Sequence, residues 1–226
     1  MRVGTNGAER VRLAEPDLGE LSRVGQLRPL RRGQSLFLTG GLEDAILLVT
    51  SGRLKLSRLS AEGKELILFL FEPGDLVVPP GAGILKGAEL IVQALEDGLI
   101  VVVRRQAFEA FLRARPAAAV AVIQQLAAWI RVLEERVEEM VFKDIPGRLA
   151  SALLRLAAAY GNREPNGAVA VGLRVTQQDL ANLIGASREM VNHALSNWKR
   201  EGLIELHGRS IVILRAEALE SLEPVQ

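Results

Sequence analysis

Residues 176–199 read TQQDLANLIGASREMVNHALSNWK and contain the signals of two short helices joined by a tight turn. Thr176 is a favourable N-cap, and Asp179 places a carboxylate in the first turn. Gly185 stands where the chain must turn, and Ser187 can cap the second helix. Apolar residues recur at helical spacing at Leu180, Leu183, Ile184, Val191, Leu195 and Trp198. The stretch therefore predicts a helix-turn-helix.

The other side of the second predicted helix carries side chains that can read DNA bases: Arg188, Glu189, Asn192 and His193. Arginine pairs with guanine, glutamate with cytosine and asparagine with adenine in the major groove. Residues near the N-terminus of such a helix are the ones that reach the bases. The alternative is an ordinary helical hairpin with a solvated polar face. Agreement among the capping, small and apolar positions favours DNA binding.

The residues that follow, Gly202 to Ile213, predict a β-hairpin. His207 and Arg209 fall at its predicted tip, where a wing would meet DNA. A winged helix-turn-helix is therefore expected at the C-terminal end of the chain.

A long helix is predicted between Pro116 and Lys143, because no glycine or proline interrupts the pattern there. Apolar residues occupy positions a and d of three heptads, at Ile123, Leu126, Ile130, Leu133, Val137 and Met140. β-branched residues at a with Leu or Met at d favour a parallel two-stranded coiled coil, hence a homodimer. The alternative is a single helix packed on its own domain. Asp144–Gly147 then predicts a hinge.

The N-terminal half alternates short apolar runs with turn residues at intervals of about ten residues, which is typical of an antiparallel sandwich or barrel. The predicted strands are Ser35–Leu38, Ala45–Val49, Arg53–Leu59, Glu65–Phe71, Glu89–Leu95 and Leu99–Val103.

Composition excludes several kinds of site. The chain of 226 residues has no cysteine and only two histidines, so disulfides, thiolate nucleophiles, iron–sulfur clusters and multi-histidine metal sites are not expected. No metal or cofactor is predicted, and the protein is not expected to be an enzyme. Gly81-Ala82-Gly83 lacks the context of a phosphate loop. No signal peptide and no apolar run of about 20 residues is apparent, so we expect a cytoplasmic protein without a membrane partner.

Over almost its full length the chain resembles the Crp/Fnr family of bacterial transcription regulators. The resemblance rests on the glycine-punctuated strands ending in Pro73-Gly74-Asp75, the long helix, Gly147-Arg148-Leu149-Ala150, and Ser187-Arg188-Glu189. It implies an α+β fold of three parts. These are an antiparallel, jelly-roll-like β-roll over 1–115, a dimerisation helix over 116–143, and a winged helix-turn-helix over 144–226.

The resemblance also implies roles for individual residues on double-stranded DNA. Gln177, Ser187, His207 and Arg209 would contact phosphate, while Arg188 and Glu189 would read bases of a palindromic operator. Thr176, Asn192 and His193 complete the predicted DNA-binding set. At His193 the family's cAMP-dependent prototype has an arginine, so the operator is expected to differ from the TGTGA half-site. RNA polymerase is an expected partner if the protein activates transcription.

The predicted effector loop departs from that of cyclic-nucleotide-binding members. Ala88 takes the position of the phosphate-binding arginine, Glu89 adds a like charge, and Lys86 is the nearby cation. On the long helix, the family's adenine-binding Thr-Ser pair falls at Leu133 and Glu134. We therefore expect a regulator that cAMP does not control. Either the β-roll is filled by its own apolar side chains and holds no effector, or Lys86, Glu89 and Glu134 are candidate contacts for a less anionic effector. The alternatives are a cyclic-nucleotide-dependent regulator and, in a different class, a β-roll interaction or enzyme domain that does not bind DNA.

Overall fold

The computed structural model describes residues 12–37, 44–78, 89–165, 167–208 and 210–222, and only the backbone of Glu89. The chain divides into two compact units, one extending to Ala128 and the other beginning at Trp129. The division falls within one long helix, α3 (Pro116–Phe142). The three-part division at 115/116 and 143/144 stays a prediction.

In the first unit, the described residues form eight strands and two further helices. The helices are α1 (Glu15–Val24) and α2 (Arg105–Ala114). The strands are β1 (Gln26–Leu30), β2 (Ser35–Phe37), β3 (Ala45–Ser51), β4 (Leu54–Leu59), β5 (Glu65–Phe71), β6 (Leu76–Val77), β7 (Glu89–Ala94) and β8 (Gly98–Arg104). They pair antiparallel in two sheets of order β1-β8-β3-β6 and β2-β7-β4-β5. This is the predicted antiparallel β-roll.

The core of this unit forms where the first sheet meets the helices. Ile46, Leu48 and Val101 lie on one face of that sheet and belong to a buried cluster with Phe108 of α2 and Val122 of α3. The strand register of the second sheet places six buried apolar residues on one face: Leu54, Leu56, Phe69, Phe71, Val92 and Ala94. Burying this much apolar surface stabilises the unit without crosslinks.

The turn at Pro73-Gly74-Asp75 has a geometric reason. Gly74 has a φ of 93°, which favours glycine, and its N–H donates to the carbonyl of Val49 at 2.8 Å. The carboxylate of Asp75 accepts the backbone N–H of Glu72 at 2.9 Å and pairs with Arg12 at 3.3 Å. The turn therefore locks the end of β5 against β3.

The second unit contains the end of α3, four more helices and a small sheet. The helices are α4 (Ile145–Tyr160), α5 (Gln177–Ile184), α6 (Arg188–Arg200) and α7 (Ala216–Glu220). The strands are β9 (Asn162–Arg163), β10 (Val169–Ala170), β11 (Ile204–His207) and β12 (Ser210–Ile213), in the order β11-β12-β10-β9. The predicted helix-turn-helix and hairpin are present.

The structure corrects the predicted hinge at Asp144–Gly147. The chain does break after α3, but α4 begins at Ile145, inside the predicted hinge. Asp144 is its N-cap and accepts the N–H of Gly147 at 2.8 Å. Pro146 lies in the first turn, where its missing N–H costs nothing.

Four elements of the first unit were not predicted: α1, β1, β6 and α2. β1 is an edge strand that contains Pro29 and is exposed at four of its five positions. It therefore lacks the alternation of apolar and polar residues that identifies a strand in sequence. α1 has one buried residue, Leu21, and no side-chain N-cap, so its pattern is weak.

By length and composition alone, α3 could cross a membrane, since an 18-residue window has a mean hydropathy of 1.4. Ala118 and Val122 on this helix are instead buried in the core of the first unit. Helices that pack in soluble proteins pass the same test, so the feature is weak support for a membrane span.

Candidate DNA interface

The first helix of the helix-turn-helix begins with a reciprocal capping box. The Thr176 hydroxyl accepts the N–H of Asp179 at 3.0 Å, and the Asp179 carboxylate accepts the N–H of Thr176 at 3.1 Å. The same hydroxyl donates to that carboxylate at 2.7 Å. The predicted cap is therefore confirmed, and the Thr176 side chain is engaged in starting α5.

The turn between α5 and α6 follows the predicted geometry. Gly185 has φ 66° and ψ 42°, a left-handed conformation that favours glycine. Ser187 then caps α6 by accepting the N–H of Met190 at 3.3 Å. Both predictions made from residue type alone are confirmed.

The recognition helix α6 divides into a buried and an exposed side. Val191, Ala194, Leu195 and Trp198 are buried, and on α5 so are Leu180, Ala181 and Ile184. Of the predicted apolar stripe, Leu183 is half-buried. The candidate base-reading residues, Arg188, Glu189, Asn192 and His193, are all exposed.

Hydrogen bonds fix part of this exposed side. The Gln177 side-chain amide donates to Oδ1 of Asn192 at 3.2 Å, which brings together two predicted DNA-binding residues from different helices. The His193 ring and the Asn197 amide lie 3.2 Å apart. Asn197 in turn accepts from Arg200 at 2.8 Å. The polar row on this side of α6 therefore contains two hydrogen-bonded groups, one around Asn192 and one around Asn197.

Glu189 lies at the positive end of the α6 dipole. Hydrogen bonds from its own backbone N–H and from the Ser187 hydroxyl lower the pKa of its carboxyl group below the usual 4.5. The carboxylate is therefore a pure acceptor at neutral pH, as recognition of the cytosine amino group requires.

Of the two predicted wing residues, only His207 is described. It pairs with Ser210 where β11 meets β12, and Gly208 forms the turn with a φ of 63°. Its Nε2 lies 2.8 Å from the carboxylate of Glu205, a contact that we did not predict. Residues two apart on one strand share a face, so that spacing could have revealed it. Arg209 lies outside the described residues.

Sequence reasoning also passed over exposed side chains on α6: Met190, Ser196, Lys199 and Arg200. Lys199 and Arg200 extend the polar row with positive charge, which phosphate contacts need. Lys86 and the Glu89 side chain lie outside the described residues, whereas Glu134 is exposed on α3. Within the described ranges, no cluster of three or more His, Asp or Glu could hold a metal ion.

Contacts from α3 reach the helix-turn-helix. Arg136 donates to the backbone carbonyl of Leu183 in α5. Glu139 accepts two hydrogen bonds from Arg155 of α4, at 2.5 and 3.1 Å. These contacts join residues of the second unit that lie 47 and 16 positions apart in sequence.

A capped two-helix motif with an exposed polar recognition helix and a following hairpin defines the class of winged helix-turn-helix DNA-binding proteins. A model of the Crp-like helix-turn-helix domain matches residues 147–222, and a model of the cyclic nucleotide-binding domain matches residues 27–115. The chain belongs to the Crp/Fnr family and is a DNA-binding transcription regulator. The family and fold class predicted from the sequence are confirmed.

Individual relatives match most of the chain. A CRP-like cAMP-activated global transcriptional regulator of Mycobacterium tuberculosis (strain CDC 1551 / Oshkosh) is 31% identical over 201 residues, 86% of this chain and 87% of its own. The anaerobic regulatory protein of Bacillus subtilis (strain 168) is 27% identical over 207 residues, 89% of this chain and 85% of its own. The family consists of soluble cytoplasmic regulators rather than enzymes.

Solved structures share the fold. A mutant of CooA from Carboxydothermus hydrogenoformans has a TM-score of 0.76 at 23% identity, covering 93% of this chain and 97% of its own. A Crp/Fnr transcriptional regulator from Thermus thermophilus has a TM-score of 0.68 at 25% identity, covering 87% of this chain and 97% of its own.

Proposed function

We propose that this regulator acts in the cytoplasm as a homodimer on a palindromic operator and reads DNA without cAMP. The main support is the exposed side of α6, which carries Arg188, Glu189, Asn192 and His193. Ser187 caps this helix, and its opposite side is buried. Two such helices related by a two-fold axis read two half-sites about one helical turn apart, roughly 34 Å.

The dimer is argued from the exposed apolar face of α3. Ile123 is 64% exposed, Ile130 57%, Val137 61% and Met140 57%, and Leu133 is also exposed. Monomeric proteins rarely leave such a row in water, and its a and d spacing is that of a coiled coil. Leu126 contributes less to this proposed dimer interface, because it is half-buried against the core of the first unit.

The exposed face of α3 also continues beyond the predicted heptads. An apolar groove lined by Ile130, Leu133 and Val137 extends to Val141 and Phe142. Val141 is 65% and Phe142 56% exposed. Pairing of two chains along this groove would bury all of these side chains, which supports a dimer.

On DNA, the proposed roles follow chemistry and position. Arg188 reads guanine, Glu189 cytosine and Asn192 adenine, while His193 contributes a contact that differs from the family prototype. Gln177, Ser187, His207 and Arg209 contact phosphate, and Thr176 holds the first helix in place. RNA polymerase is a partner if the protein activates transcription.

The charges at the predicted effector loop oppose binding of cAMP. A cyclic phosphate in a partly buried site needs a cation, and position 88 is alanine, with Glu89 beside it. By the family resemblance, Glu134 falls at the adenine-binding pair of cyclic-nucleotide-binding members, and its side chain is exposed on α3. Lys86, Glu89 and Glu134 stay candidates for a less anionic effector. A cyclic-nucleotide-dependent regulator is the second candidate, favoured by the match to the cyclic nucleotide-binding domain and by the mycobacterial relative.

The proposal is tested by light scattering together with DNA titration of the purified full chain. We expect a dimer in solution and two protomers on each palindromic duplex, without added nucleotide. A monomer that binds one protomer per duplex would contradict it.

A further inference from the structure

Arg136 occupies an unusual position for an arginine of a surface helix. Its side chain is half-buried, and Nη2 donates a hydrogen bond to the backbone carbonyl of Leu183. Burial lowers the pKa of the Arg136 guanidinium to about 10, and the nearby charge of Arg155 contributes to this lowering, while Glu139 opposes both. The group is still a cation at neutral pH, so a charged donor is held against a main-chain acceptor.

The acceptor explains why this contact matters for the helix-turn-helix. Leu183 lies in the last turn of α5, where helix carbonyls lack partners and the dipole is negative. A half-buried cation there caps the helix from outside. Gly185 and Ser187, which set the direction of α6, follow within four residues.

A second set of contacts holds the same stretch of α3 to α4. Burial opposes ionisation of Glu139, but hydrogen bonds and charge from Arg155 outweigh it and lower the pKa of Glu139. Lys143 donates to the Ser151 hydroxyl at 2.7 Å and lies 3.6 Å from Glu139. The end of α3 is therefore tied to α4 by charged side chains, and to α5 by Arg136.

We propose that Arg136 is a positioning residue that fixes the direction of α6 relative to α3, and thereby the half-site spacing that the dimer accepts. The inference rests on the proposed palindrome-binding dimer. If two α3 helices pair, the angle between α3 and α6 sets the separation of the two recognition helices. Arg136 itself does not need to touch DNA, since it acts through the backbone of α5.

The consequence is specific. A looser α5 would let each recognition helix adjust, so operators with altered spacing would be tolerated. Base preference within one half-site would be unchanged, because Arg188 and Asn192 keep their places on α6. A change that only weakened folding would lower affinity for every duplex alike.

The test compares wild type with Arg136→Met, which removes the charge and donors but keeps an apolar stem. Affinity is measured by fluorescence anisotropy for the selected palindrome, for the same palindrome with one base pair added or removed between half-sites, and for an isolated half-site. Arg131→Met is the matched control, because Arg131 is an exposed arginine on the same helix. Circular dichroism checks folding, and Arg136→Leu, which also removes the charge and the donors, replaces the methionine variant if that variant does not fold.

We expect the wild type and Arg131→Met to favour the native spacing, and Arg136→Met to lose about tenfold of that preference, a factor typical of one charge-assisted hydrogen bond. Half-site affinity should stay the same, and Arg136→Lys should recover part of the preference. An unchanged spacing preference in Arg136→Met, or equal loss on all duplexes including the half-site, would overturn the inference. A wild type without any preference for a palindrome would instead refute the proposed function.

Discussion

The Gln177 amide group donates to Oδ1 of Asn192 at 3.2 Å, so the first turn of α5 holds a candidate base-reading side chain of α6. An amide that reads adenine must present its oxygen and its NH₂ group in one plane to the base edge. Because the Asn192 oxygen has a second lone pair, Gln177 can orient the amide and leave it able to accept from adenine.

This contact predicts non-additive effects. Asn192→Ala should cost about 1–3 kcal/mol of discrimination at one base pair, and Gln177→Ala a smaller part of it. The double variant should discriminate no worse than Asn192→Ala, because both changes remove the same contact between Gln177 and Asn192. Competitive binding to duplexes substituted at that base pair measures this double-mutant cycle. Strictly additive losses in discrimination would show that Gln177 does not orient Asn192.

Arg188→Ala should weaken discrimination at one position by about 1–3 kcal/mol and leave the other positions unchanged. Arg209→Ala, by contrast, should weaken all sequences alike and reduce the salt dependence of binding, as a phosphate contact does. Binding-site selection with each variant separates the two roles. Unchanged base preference in Arg188→Ala would refute its assignment.

Glu189 gives a prediction about pH. The pKa of its carboxyl group is lowered below the usual 4.5. The group is therefore ionised at every pH above that value and becomes protonated only at a pH below it. Discrimination at the Glu189 base pair should be constant from about pH 5.5 to about pH 8. Glu189→Gln, which replaces one acceptor oxygen by a donor, should lose it at every pH. A wild-type preference that decays across this range would contradict the assignment.

Leu133→Lys tests the proposed dimer interface on α3. Two like charges would meet near the proposed two-fold axis, and their desolvation would cost several kcal/mol. We expect a monomer by light scattering and loss of operator binding. Glu135→Lys, which places the same side chain at another exposed position of α3, should stay dimeric. Native dimerisation in Leu133→Lys would locate the interface elsewhere.

Isothermal titration with cAMP tests the proposed independence from cAMP. With alanine at position 88 and Glu89 adjacent, we expect no heat and no change in operator affinity. Micromolar binding that tightens the DNA complex would contradict this, and Lys86→Ala would then identify whether Lys86 supplies the missing cation.

Local signals made the helix-turn-helix predictable, while contacts distant in sequence did not. Thr176, Asp179, Gly185 and Ser187 lie within twelve residues, and each has a backbone role that its residue type reveals. The pair Arg136 and Leu183 gives no such signal, because its acceptor is a backbone carbonyl that any residue could provide. β1 and α1 were missed for a related reason: tertiary packing, not local periodicity, holds them.

The most direct test of the central claim is binding-site selection from random duplex DNA with the full chain and no added nucleotide. We predict enrichment of a palindrome whose half-sites lie about one helical turn apart, roughly 34 Å. Recovery of no sequence, of a single unpaired half-site, or of a palindrome only when cAMP is supplied would contradict the account.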